Sequence, residues 1–386
     1  MQNVYICGAA RTPMGGLQGV FAQQSASRLG SEAIRAAHQQ AHMPNVDELY
    51  MGCVLPAGQG QAPARQAGLG AGLGEDLPAT TLNKMCGSGM KAAMLGFDAL
   101  ALGQARTIIA GGMESMSNAP YLLEKMRAGA RIGHAQARDH MFLDGLEDAY
   151  DKGRLMGTFA EDCASAFGFT REAQDQYALA SLDNALAAER AGILAREITP
   201  VALHTRLGEE IITTDEQPAK ARPEKIPLLK PAFRDGGTVT AANSSSISDG
   251  AAALVLSNDQ SLAARARILG HASHAQAPKD FPTAPIPAAQ KLLDHIGWSK
   301  SDVDLWEVNE AFAVVPMAFM KQMGLPRDIV NIHGGACALG HPIGASGARI
   351  IVTLLNALET HGLRRGIAAI CIGGGEGTAL AIERLS

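Results

Sequence analysis

The chain has 386 residues, of which 47% are hydrophobic and 18% are charged, and its formal net charge at pH 7 is −5. This length and composition are typical of a soluble α/β protein with two or three domains and a large buried core. The slightly negative charge, without a dense basic stripe, argues against a nucleic-acid partner, because such partners are held by neutralising their phosphates.

The first residues, MQNVYICGAARTPMGG, enter a strand-like apolar stretch at once and carry no basic leader, so the sequence predicts no signal peptide. No apolar run approaches the roughly 20 residues that a membrane span requires, and no membrane contact is expected. The cysteines are scattered, without a CxxC pair or histidines at zinc spacing, and comprise Cys7, Cys53, Cys86, Cys163, Cys337 and Cys371. We therefore expect neither disulfides nor a metal site, and we expect a reducing, cytoplasmic compartment.

Three sequence features of the first third recur in the same order in the last third. The first copy has a strand before a turn, a small-residue elbow that opens a helix, and a strand ending in glycines: NVDELYMGCV (45–54), NKMCGSGMKAA (83–93) and TIIAGGMESM (107–116). The second copy consists of DVDLWEVNEAF (302–312), GHPIGASGARI (340–350) and AAICIGGGEGTAL (368–380). This alternation predicts βαβ units, a mostly parallel buried sheet and two similar halves packed together. The alternative is that the three features match by chance, as they can in any α/β protein.

The segment between the copies, residues 118–240, has a different character. It contains an amphipathic helix, TREAQDQYALASLDNALAAERAG, with Thr170 as its predicted N-cap, and a charged, proline-broken surface loop, TTDEQPAKARPEKIPLLKP. Loops grafted on a rigid scaffold usually carry binding functions. The predicted organisation is an N-terminal half of residues 1–117 plus 241–265, an inserted loop domain of residues 118–240 for substrate binding and oligomer contacts, and a C-terminal half of residues 266–386.

Cys86 lies between Met85 and a Gly-Ser-Gly turn, where a helix is predicted to begin. The positive end of a helix dipole and its unpaired N–H groups lower the pKa of a thiol, so Cys86 is a candidate thiolate nucleophile. The neighbouring glycines allow a substrate to approach the backbone closely. The alternative is a small buried hydrophobic residue, an interpretation that we favour for the four cysteines other than Cys86 and Cys371.

His341 occupies the matching elbow of the second copy. Pro342 restricts the histidine backbone to extended conformations, and an imidazole fixed near a thiol is what a Cys-His nucleophile requires. A hydrogen-bonded structural histidine is the alternative. Cys371 ends an apolar strand and precedes three glycines, 373–375, whose amides are candidates for binding a developing oxyanion.

Two other glycine-rich stretches, GLGAGLGE (68–75) and GGGEGT (373–378), resemble dinucleotide-binding loops only in their glycine content. No acidic residue follows either of them at the spacing of a Rossmann fingerprint. The sequence contains neither a GxSxG elbow nor a P-loop. A nicotinamide dehydrogenase and a serine hydrolase are therefore disfavoured.

The motifs NKMCGSGM, GGMESMSNAP, VNEAFA, GGACALGHPIGASGARI and CIGGGEG together resemble the thiolase family, and the resemblance extends from RTPMG to the last strand. It implies an α/β, five-layered αβαβα fold of two similar halves with an inserted loop domain, and a homotetramer or homodimer. It further implies an acyltransferase that cleaves 3-ketoacyl-CoA with coenzyme A, or condenses two acetyl-CoA molecules in reverse, through an S-acyl-cysteine with ping-pong kinetics. Coenzyme A is then a substrate, and no metal or other cofactor is expected.

The resemblance assigns catalytic roles to five residues. Cys86 corresponds to the acylated nucleophile and His341 to the base that takes its proton. Cys371 corresponds to the second cysteine, which exchanges a proton with acetyl-CoA. Asn309 corresponds to an asparagine that holds a water, and that water forms one oxyanion hole together with His341. The backbone amides of Cys86 and Gly373 correspond to the second oxyanion hole, at the acyl-enzyme oxygen.

The resemblance also indicates residues along the coenzyme A arm. Ser245 corresponds to the serine that meets the pantetheine, with Ala241 nearby and Phe233 along the same arm. The basic contact near the adenine falls in DEQPAKARPEK, where a one-residue gap leaves Lys220 and Arg222 as alternatives. A solvated charged loop is the other interpretation of this stretch.

Three residues near the acyl pocket bear on substrate length. Leu155 stands where short-chain acetoacetyl-CoA thiolases commonly have histidine, Met156 is retained, and Phe281 falls near a pocket-lining position. We expect a short-chain enzyme that prefers acetoacetyl-CoA; a broad-chain 3-ketoacyl-CoA thiolase of fatty-acid β-oxidation is the alternative, and a dehydrogenase partner subunit is left open. A decarboxylating ketoacyl synthase is disfavoured because it would have a histidine in place of Asn309. A non-catalytic acyl-CoA-binding protein is disfavoured because the catalytic residues are all present.

Overall fold

A computed structural model describes residues 2–205 and 208–385. The helices in these residues are α1 Ala26–Gln40, α2 Pro63–Gly70, α3 Ser88–Ala101, α4 Met156–Phe167, α5 Arg171–Arg190, α6 Glu216–Lys220, α7 Pro285–Ile296, α8 Val314–Met323, α9 Ala336–Leu339 and α10 Ile343–Thr360. The strands are β1 Val4–Arg11, β2 Gly15–Gly16, β3 Glu48–Gly52, β4 Ala79–Leu82, β5 Thr107–Ser115, β6 Tyr121–Leu123, β7 Ala137–Asp139, β8 Val201–Thr205, β9 Gly208–Ile212, β10 Ser248–Ser257, β11 Ala266–Ala275, β12 Leu305–Val308, β13 Arg365–Ile372 and β14 Glu376–Arg384.

The repeat predicted from the sequence is present in the structure. In the first third, β3 and β5 are parallel neighbours and α3 lies between them in the chain. In the last third, β12 and β13 are parallel neighbours and α10 lies between them in the chain. Both copies therefore form the same βαβ unit, and each unit carries its elbow at the N-terminus of its helix.

The prediction of a mostly parallel sheet is wrong, because the main sheet is mixed. Its strands follow the order β12-β13-β14-β11-β1-β10-β5-β3-β4, with β2 paired to β10. Pairs β3–β4, β3–β5 and β12–β13 are parallel, whereas β1–β10, β1–β11, β5–β10, β11–β14 and β13–β14 are antiparallel. Short connections such as the glycine turn from β13 to β14 return the chain directly, and such turns join antiparallel strands.

Helices cover the sheet on both outer faces and fill the space between its two halves. The central core joins Ile350 and Ile351 of α10 to Leu254 of β10 on one side and to Ile370 and Leu380 of β13 and β14 on the other. A second core packs α1 and α2 against the N-terminal strands, and a third packs α7 and α8 against the C-terminal strands. These contacts make five layers, as the resemblance implied.

The two central helices, α3 and α10, cross at glycines. A Cβ on Gly89 would lie 2.7 Å from the Ala348 nitrogen, and a Cβ on Gly347 would lie 2.4 Å from the Met90 nitrogen. Both distances are shorter than any real Cβ contact, so each helix needs glycine where it meets the other. The crossing brings the first turns of both helices together, and with them the two predicted elbows.

The segment 118–240 attaches to both halves. Helices α4 and α5 pack against residues of the C-terminal half. The predicted amphipathic helix is confirmed as α5, with the Thr170 hydroxyl accepting from the Ala173 N–H at 3.1 Å. Arg11 at the end of β1 is fully buried and contacts Asp215 at 2.7 Å and Glu197 at 2.6 Å. A surface loop was predicted around Asp215, but the structure forms α6 and a 3₁₀ turn there because this ion pair anchors the stretch.

Among residues 2–205 and 208–385, no helix combines the length and the apolar character that crossing a membrane requires.

Candidate active site

The first elbow carries Cys86 on a turn that neighbouring side chains stabilise. Met85 has a φ of 47°, in the left-handed region that residues other than glycine rarely adopt. Asn83 Oδ1 accepts from the Met85 N–H at 2.9 Å, and the Ser88 hydroxyl donates to the Met85 carbonyl at 2.6 Å. The Lys84 N–H donates to the same hydroxyl at 2.8 Å. Backbone strain held in this way is typical of functional sites, and it places Cys86 just before α3 begins.

The second elbow presents His341 in a buried position. Gly340 has a φ of 106°, and a Cβ there would lie 2.1 Å from the Ser248 hydroxyl oxygen, so only glycine fits. The His341 N–H donates to the Ser246 carbonyl at 3.1 Å, and Pro342 follows as the N-cap of α10. Only 6% of His341 is exposed. The imidazole is therefore fixed by backbone contacts on both sides.

The hydrogen bonds of His341 determine which ring nitrogen carries the proton. Its Nδ1 lies 2.5 Å from the Ser346 hydroxyl oxygen, and that hydroxyl also lies 2.9 Å from the Pro342 carbonyl. A carbonyl only accepts, so the single hydroxyl proton is donated to Pro342, and the hydroxyl oxygen must accept from Nδ1–H. In the neutral ring, Nε2 then has a free lone pair. Nε2 lies 3.5 Å from Asn309 Nδ2, which is a donor.

The charge state of His341 follows from its surroundings. Burial, and secondly the nearby Arg349 guanidinium, lower the pKa of His341 to about 3. Both effects penalise the imidazolium form, so the ring is neutral near pH 7. His341 is thus set to accept a proton at Nε2.

Asn309 follows β12 and meets the second elbow from the C-terminal half. It is fully buried, and its N–H donates to the Ala369 carbonyl at 2.9 Å. Its Oδ1 accepts from Arg349 at 3.4 Å, and its Nδ2 faces His341. The structure therefore places Asn309 and His341 side by side, as the resemblance implied.

The turn between β13 and β14 completes the site. The Gly373 N–H acts on the Cys86 thiol, because it lowers the pKa of that thiol. Cys371 is fully buried at the end of β13, and its proximity to Cys86 helps to raise its own pKa, although burial is the larger cause. Cys86 and these two residues come from different halves of the chain, so the site forms only where the halves meet.

The prediction that Cys86 has a lowered pKa is wrong for the resting protein. Burial raises the pKa of the Cys86 thiol to about 11, although the Gly373 N–H acts in the opposite direction. The helix dipole and one amide do not compensate for the loss of water around a thiolate. Cys86 is therefore a neutral thiol that needs a base at the moment of attack.

The carboxyl group of Glu114 joins the second elbow to a loop of the N-terminal half. Glu114, fully buried at the end of β5, accepts from the N–H groups of Val54 at 2.9 Å, Leu55 at 3.1 Å and Gly344 at 2.9 Å. Burial raises the pKa of Glu114 to about 7, against these three bonds. The carboxyl group thereby fixes the start of α10, three residues after the histidine.

An ion pair links the two loops that supply amide groups to the site. Lys84, two residues before Cys86, contacts the carboxylate of Glu376, three residues after Gly373. The two side chains are 22% and 36% exposed, so water screens this pair. Its position still restrains the glycine turn against the first elbow.

Three of the predicted coenzyme A residues line a surface cavity of about 350 Å³, whereas Ser245 and Phe233 are not among its lining residues. Lys220, Arg222 and Ala241 line it, together with the serines on either side of Ser245. The Ser245 hydroxyl donates to the Ala311 carbonyl at 2.9 Å, which leaves its oxygen free to accept. Lys220 is paired with a glutamate of its own helix, whereas Arg222 is exposed.

Phe233, predicted along the coenzyme A arm, and Met156, predicted near the acyl pocket, pack against the same apolar core of the C-terminal half. Phe233 packs edge-on against Phe312, with ring centroids 5.9 Å apart. Met156 opens α4 above Gly373, since a Cβ on that glycine would lie 3.4 Å from the Met156 sulfur. Leu155 precedes Met156 as the N-cap residue of α4 and is partly exposed.

Phe281 lies deeper than Phe233 and Met156. Only 3% of it is exposed, and its ring packs edge-on against Phe159 at 6.2 Å and Phe312 at 6.5 Å. It belongs to the core of the C-terminal half.

Sequence analysis missed Ser346, Arg349 and Glu114, although all three lie within motifs that it singled out. Ser346 and Arg349 follow His341 by five and eight residues in a run of small and apolar side chains. A serine and an arginine on a buried helix are themselves a signal, because such groups are rarely buried without a partner.

Two family models together match nearly the whole chain. They are thiolase, N-terminal domain, over residues 4–260, and thiolase, C-terminal domain, over residues 262–384. The chain belongs to the thiolase family. Similar proteins include acetyl-CoA acetyltransferase 2 of Arabidopsis thaliana, 47% identical over all of this thiolase and 98% of that protein. An acetyl-CoA acetyltransferase of Pseudomonas aeruginosa is 46% identical over the full length of both chains.

Solved structures confirm the predicted fold of this thiolase. The acetyl-CoA acetyltransferase of Bacillus anthracis has a TM-score of 0.94 and 38% identity, covering 100% of this chain and 99% of the other. The Acat5 thiolase of Ascaris suum, solved in complex with coenzyme A, has a TM-score of 0.93 and 39% identity over the full length of both chains.

Proposed function

We propose that this thiolase is an acyltransferase that cleaves a 3-ketoacyl-CoA with coenzyme A, preferring acetoacetyl-CoA, and that condenses two acetyl-CoA molecules in reverse. The intermediate is an S-acyl group on Cys86, so the kinetics are ping-pong. One arrangement carries the proposal: the Gly373 amide from the opposite half acts to lower the pKa of the Cys86 thiol, while a buried His341 keeps Nε2 free of a proton. The relatives named as acetyl-CoA acetyltransferases support the same reaction.

The acylation step begins from a neutral pair. The raised pKa of Cys86 and the lowered pKa of His341 both oppose ionisation before substrate binds. The thiol proton therefore moves to His341 Nε2 while the sulfur attacks the 3-keto carbon. The carbonyl oxygen becomes an alkoxide, which accepts from the amides of Cys86 and Gly373.

Collapse of the alkoxide breaks the bond between C2 and C3 of the substrate. The acyl group stays on Cys86, and the electron pair forms the enolate of acetyl-CoA, whose oxygen is stabilised by His341 and by a water on Asn309. Cys371 donates its proton to C2 and becomes a thiolate. Free coenzyme A then gives its thiol proton to Cys371 and attacks the acyl group, and His341 returns its proton to Cys86.

These side chains supply the nucleophile, the base, the acid and the oxyanion donors. The proposal therefore includes no metal and no redox cofactor, and coenzyme A acts as a substrate. Its pantetheine arm would run past Phe233, Ala241 and Ser245, and its phosphates would lie near the exposed Arg222, since Lys220 already has a carboxylate partner. The coenzyme A complex of the Ascaris suum thiolase supports this part of the proposal.

The residues around Gly373 bear on the chain length of the acyl group. Leu155 and Met156 make the wall near Gly373 apolar, which favours a short unbranched acyl group. A broad-chain thiolase of β-oxidation is the second candidate, because Leu155 stands where short-chain thiolases commonly have histidine. We expect thiolysis to be fastest with acetoacetyl-CoA, and a steady rise of kcat/KM up to 3-ketodecanoyl-CoA would support the second candidate instead.

Assembly and compartment are also proposals. We propose a homodimer or homotetramer with contacts through the segment 118–240, where Tyr121, Leu123 and Ile132 are 68%, 57% and 94% exposed. Exposed apolar groups of this size are typical of protein interfaces. The six free cysteines favour a reducing compartment, and we propose the cytoplasm, although one similar protein of Xenopus laevis is named mitochondrial.

Mass spectrometry after incubation with acetyl-CoA tests the proposed reaction. We expect one acetyl group on the peptide that contains Cys86, and no acetyl group in the Cys86→Ser variant. Cys371→Ser should still acquire the acetyl group yet fail to condense two acetyl units. Absence of any adduct in the unmodified enzyme would leave a non-catalytic acyl-CoA-binding protein as the better account.

A further inference from the structure

We propose that Arg349 is a positioning residue, which holds the amide of Asn309 with its NH2 group toward His341. This inference rests on the function proposed above, because it concerns the oxyanion hole that Asn309 would form with His341. Arg349 lies on α10, eight residues after His341, and only 1% of it is exposed. In the site described above it lowers the pKa of His341, although burial is the larger cause.

Arg349 is held by a buried carboxylate. Its Nη1 donates to Glu307 Oε1 at 2.9 Å, and the two side chains are 2% and 4% exposed. Burial raises the pKa of Glu307 to about 8, against the attraction of Arg349, so the surroundings are unfavourable for charge. Replacing a buried ion pair by apolar residues of similar volume is often neutral or stabilising. Fold stability alone therefore does not account for a guanidinium at this position.

The second arm of the guanidinium decides the orientation of Asn309. Arg349 Nη2 lies 3.4 Å from Asn309 Oδ1, and a guanidinium has donors only. Oδ1 must therefore face Arg349, and Nδ2 must face His341 Nε2, 3.5 Å away. Because the guanidinium is planar and Glu307 holds its Nη1, the position of Nη2 beside Asn309 is restricted as well.

A reversed amide would disturb the enolate site. Oδ1 would then face the lone pair of His341 Nε2, placing two acceptors opposite each other, and Asn309 would present no N–H donor toward the pocket. Ser346 fixes the proton on the other nitrogen of His341, so the two contacts together leave one arrangement of donors and acceptors. The step most affected is the one that develops enolate charge, whereas acetylation of Cys86 uses the amides of Cys86 and Gly373.

The test separates the two half-reactions in two variants. In Arg349→Met with Glu307→Met, an apolar pair replaces the ion pair, and we expect an unfolding temperature equal to or above that of the parent. In Arg349→Lys, the charge remains but the fork is lost. For both, we expect acetylation of Cys86 by acetyl-CoA within about threefold of the parent rate. Condensation of two acetyl-CoA molecules should fall roughly 100-fold in kcat, with a smaller change in KM.

Arg11→Lys is the matched control, because Arg11 is also a fully buried arginine with two carboxylate partners and lies in no predicted catalytic role. It should lower the unfolding temperature without separating acetylation from condensation. Condensation at the parent rate in the double variant, an equal loss of both half-reactions, or failure of both Arg349 variants to fold would each overturn the proposal. If the parent enzyme neither accepts an acetyl group nor condenses, the proposed function fails independently of Arg349.

Discussion

Gly89→Ala tests whether the helix crossing sets the geometry of the site. The added Cβ would lie 2.7 Å from the Ala348 nitrogen and 3.1 Å from the Gly344 carbonyl oxygen, and neither backbone atom can turn away. Reaching an ordinary contact of 3.4 Å requires α3 and α10 to separate by about 0.7 Å. Because Cys86 and His341 sit on different helices, they separate as well. We expect kcat for acetoacetyl-CoA thiolysis to fall roughly 10- to 100-fold, with about 1–3 kcal/mol lower stability.

Gly96→Ala on the same helix is the control. Its Cβ would lie 3.0 Å from a terminal methyl group of Leu256, which is a flexible side chain that can move aside. Alanine also favours a helix by up to about 1 kcal/mol over glycine, so this variant should keep its activity and its unfolding temperature. Parent-level kcat in Gly89→Ala, or an equal loss of kcat in both variants, would refute the role given to the crossing.

Three further predictions concern the resting site. Ser346→Ala removes the acceptor that fixes the proton on His341 Nδ1, and we expect roughly tenfold slower acetylation of Cys86 in quenched-flow mass spectrometry, with KM little changed. Since the pKa of Cys86 is raised to about 11, its alkylation by iodoacetamide in a Cys371→Ser background should accelerate about tenfold per pH unit from pH 7 to 9.5, and a plateau below pH 8 would contradict this. Lys84→Glu and Glu376→Lys should each cost up to roughly fivefold in kcat, the limit for a pair worth about 1 kcal/mol, and the double exchange should recover most of it.

The repeated elbows and the family motifs sufficed to predict the layered fold from the sequence. Direction of strand pairing was not predictable in the same way, because an apolar run such as β10 pairs equally well with a parallel or an antiparallel neighbour. The parallel sheet was predicted from the βαβ alternation of the two copies, yet β10 lies antiparallel to both β1 and β5. Covering layers of helices bury both faces of a mixed sheet as completely as those of a parallel one.

Positions in the site were predictable, but charge states were not. Cys86 and His341 could be found because each begins a local motif, and the effect of a helix dipole on a thiol is also local. Desolvation is not local: it depends on parts of the chain far from Cys86 in sequence, which pack around this partly exposed residue. For the same reason Arg349 was not predicted, since its partners Glu307 and Asn309 come from β12 and the residue that follows it. Ser346 differs, because it contacts His341 and Pro342 within its own motif.

The protonation states of the site follow from where the duplicated fold places it. Two helices that cross at glycine bury both of their N-terminal turns in the middle layer, and this burial raises the pKa of the Cys86 thiol while it lowers the pKa of the His341 ring. Both changes favour the neutral pair, so a thiolate forms only when a substrate carbonyl accepts the sulfur. Because oxidation proceeds through the thiolate, a neutral resting thiol is also protected from it between turnovers. The small residues at both elbows thus have two roles. They make room for the thioester, and they allow the close packing that keeps the Cys86 thiol uncharged.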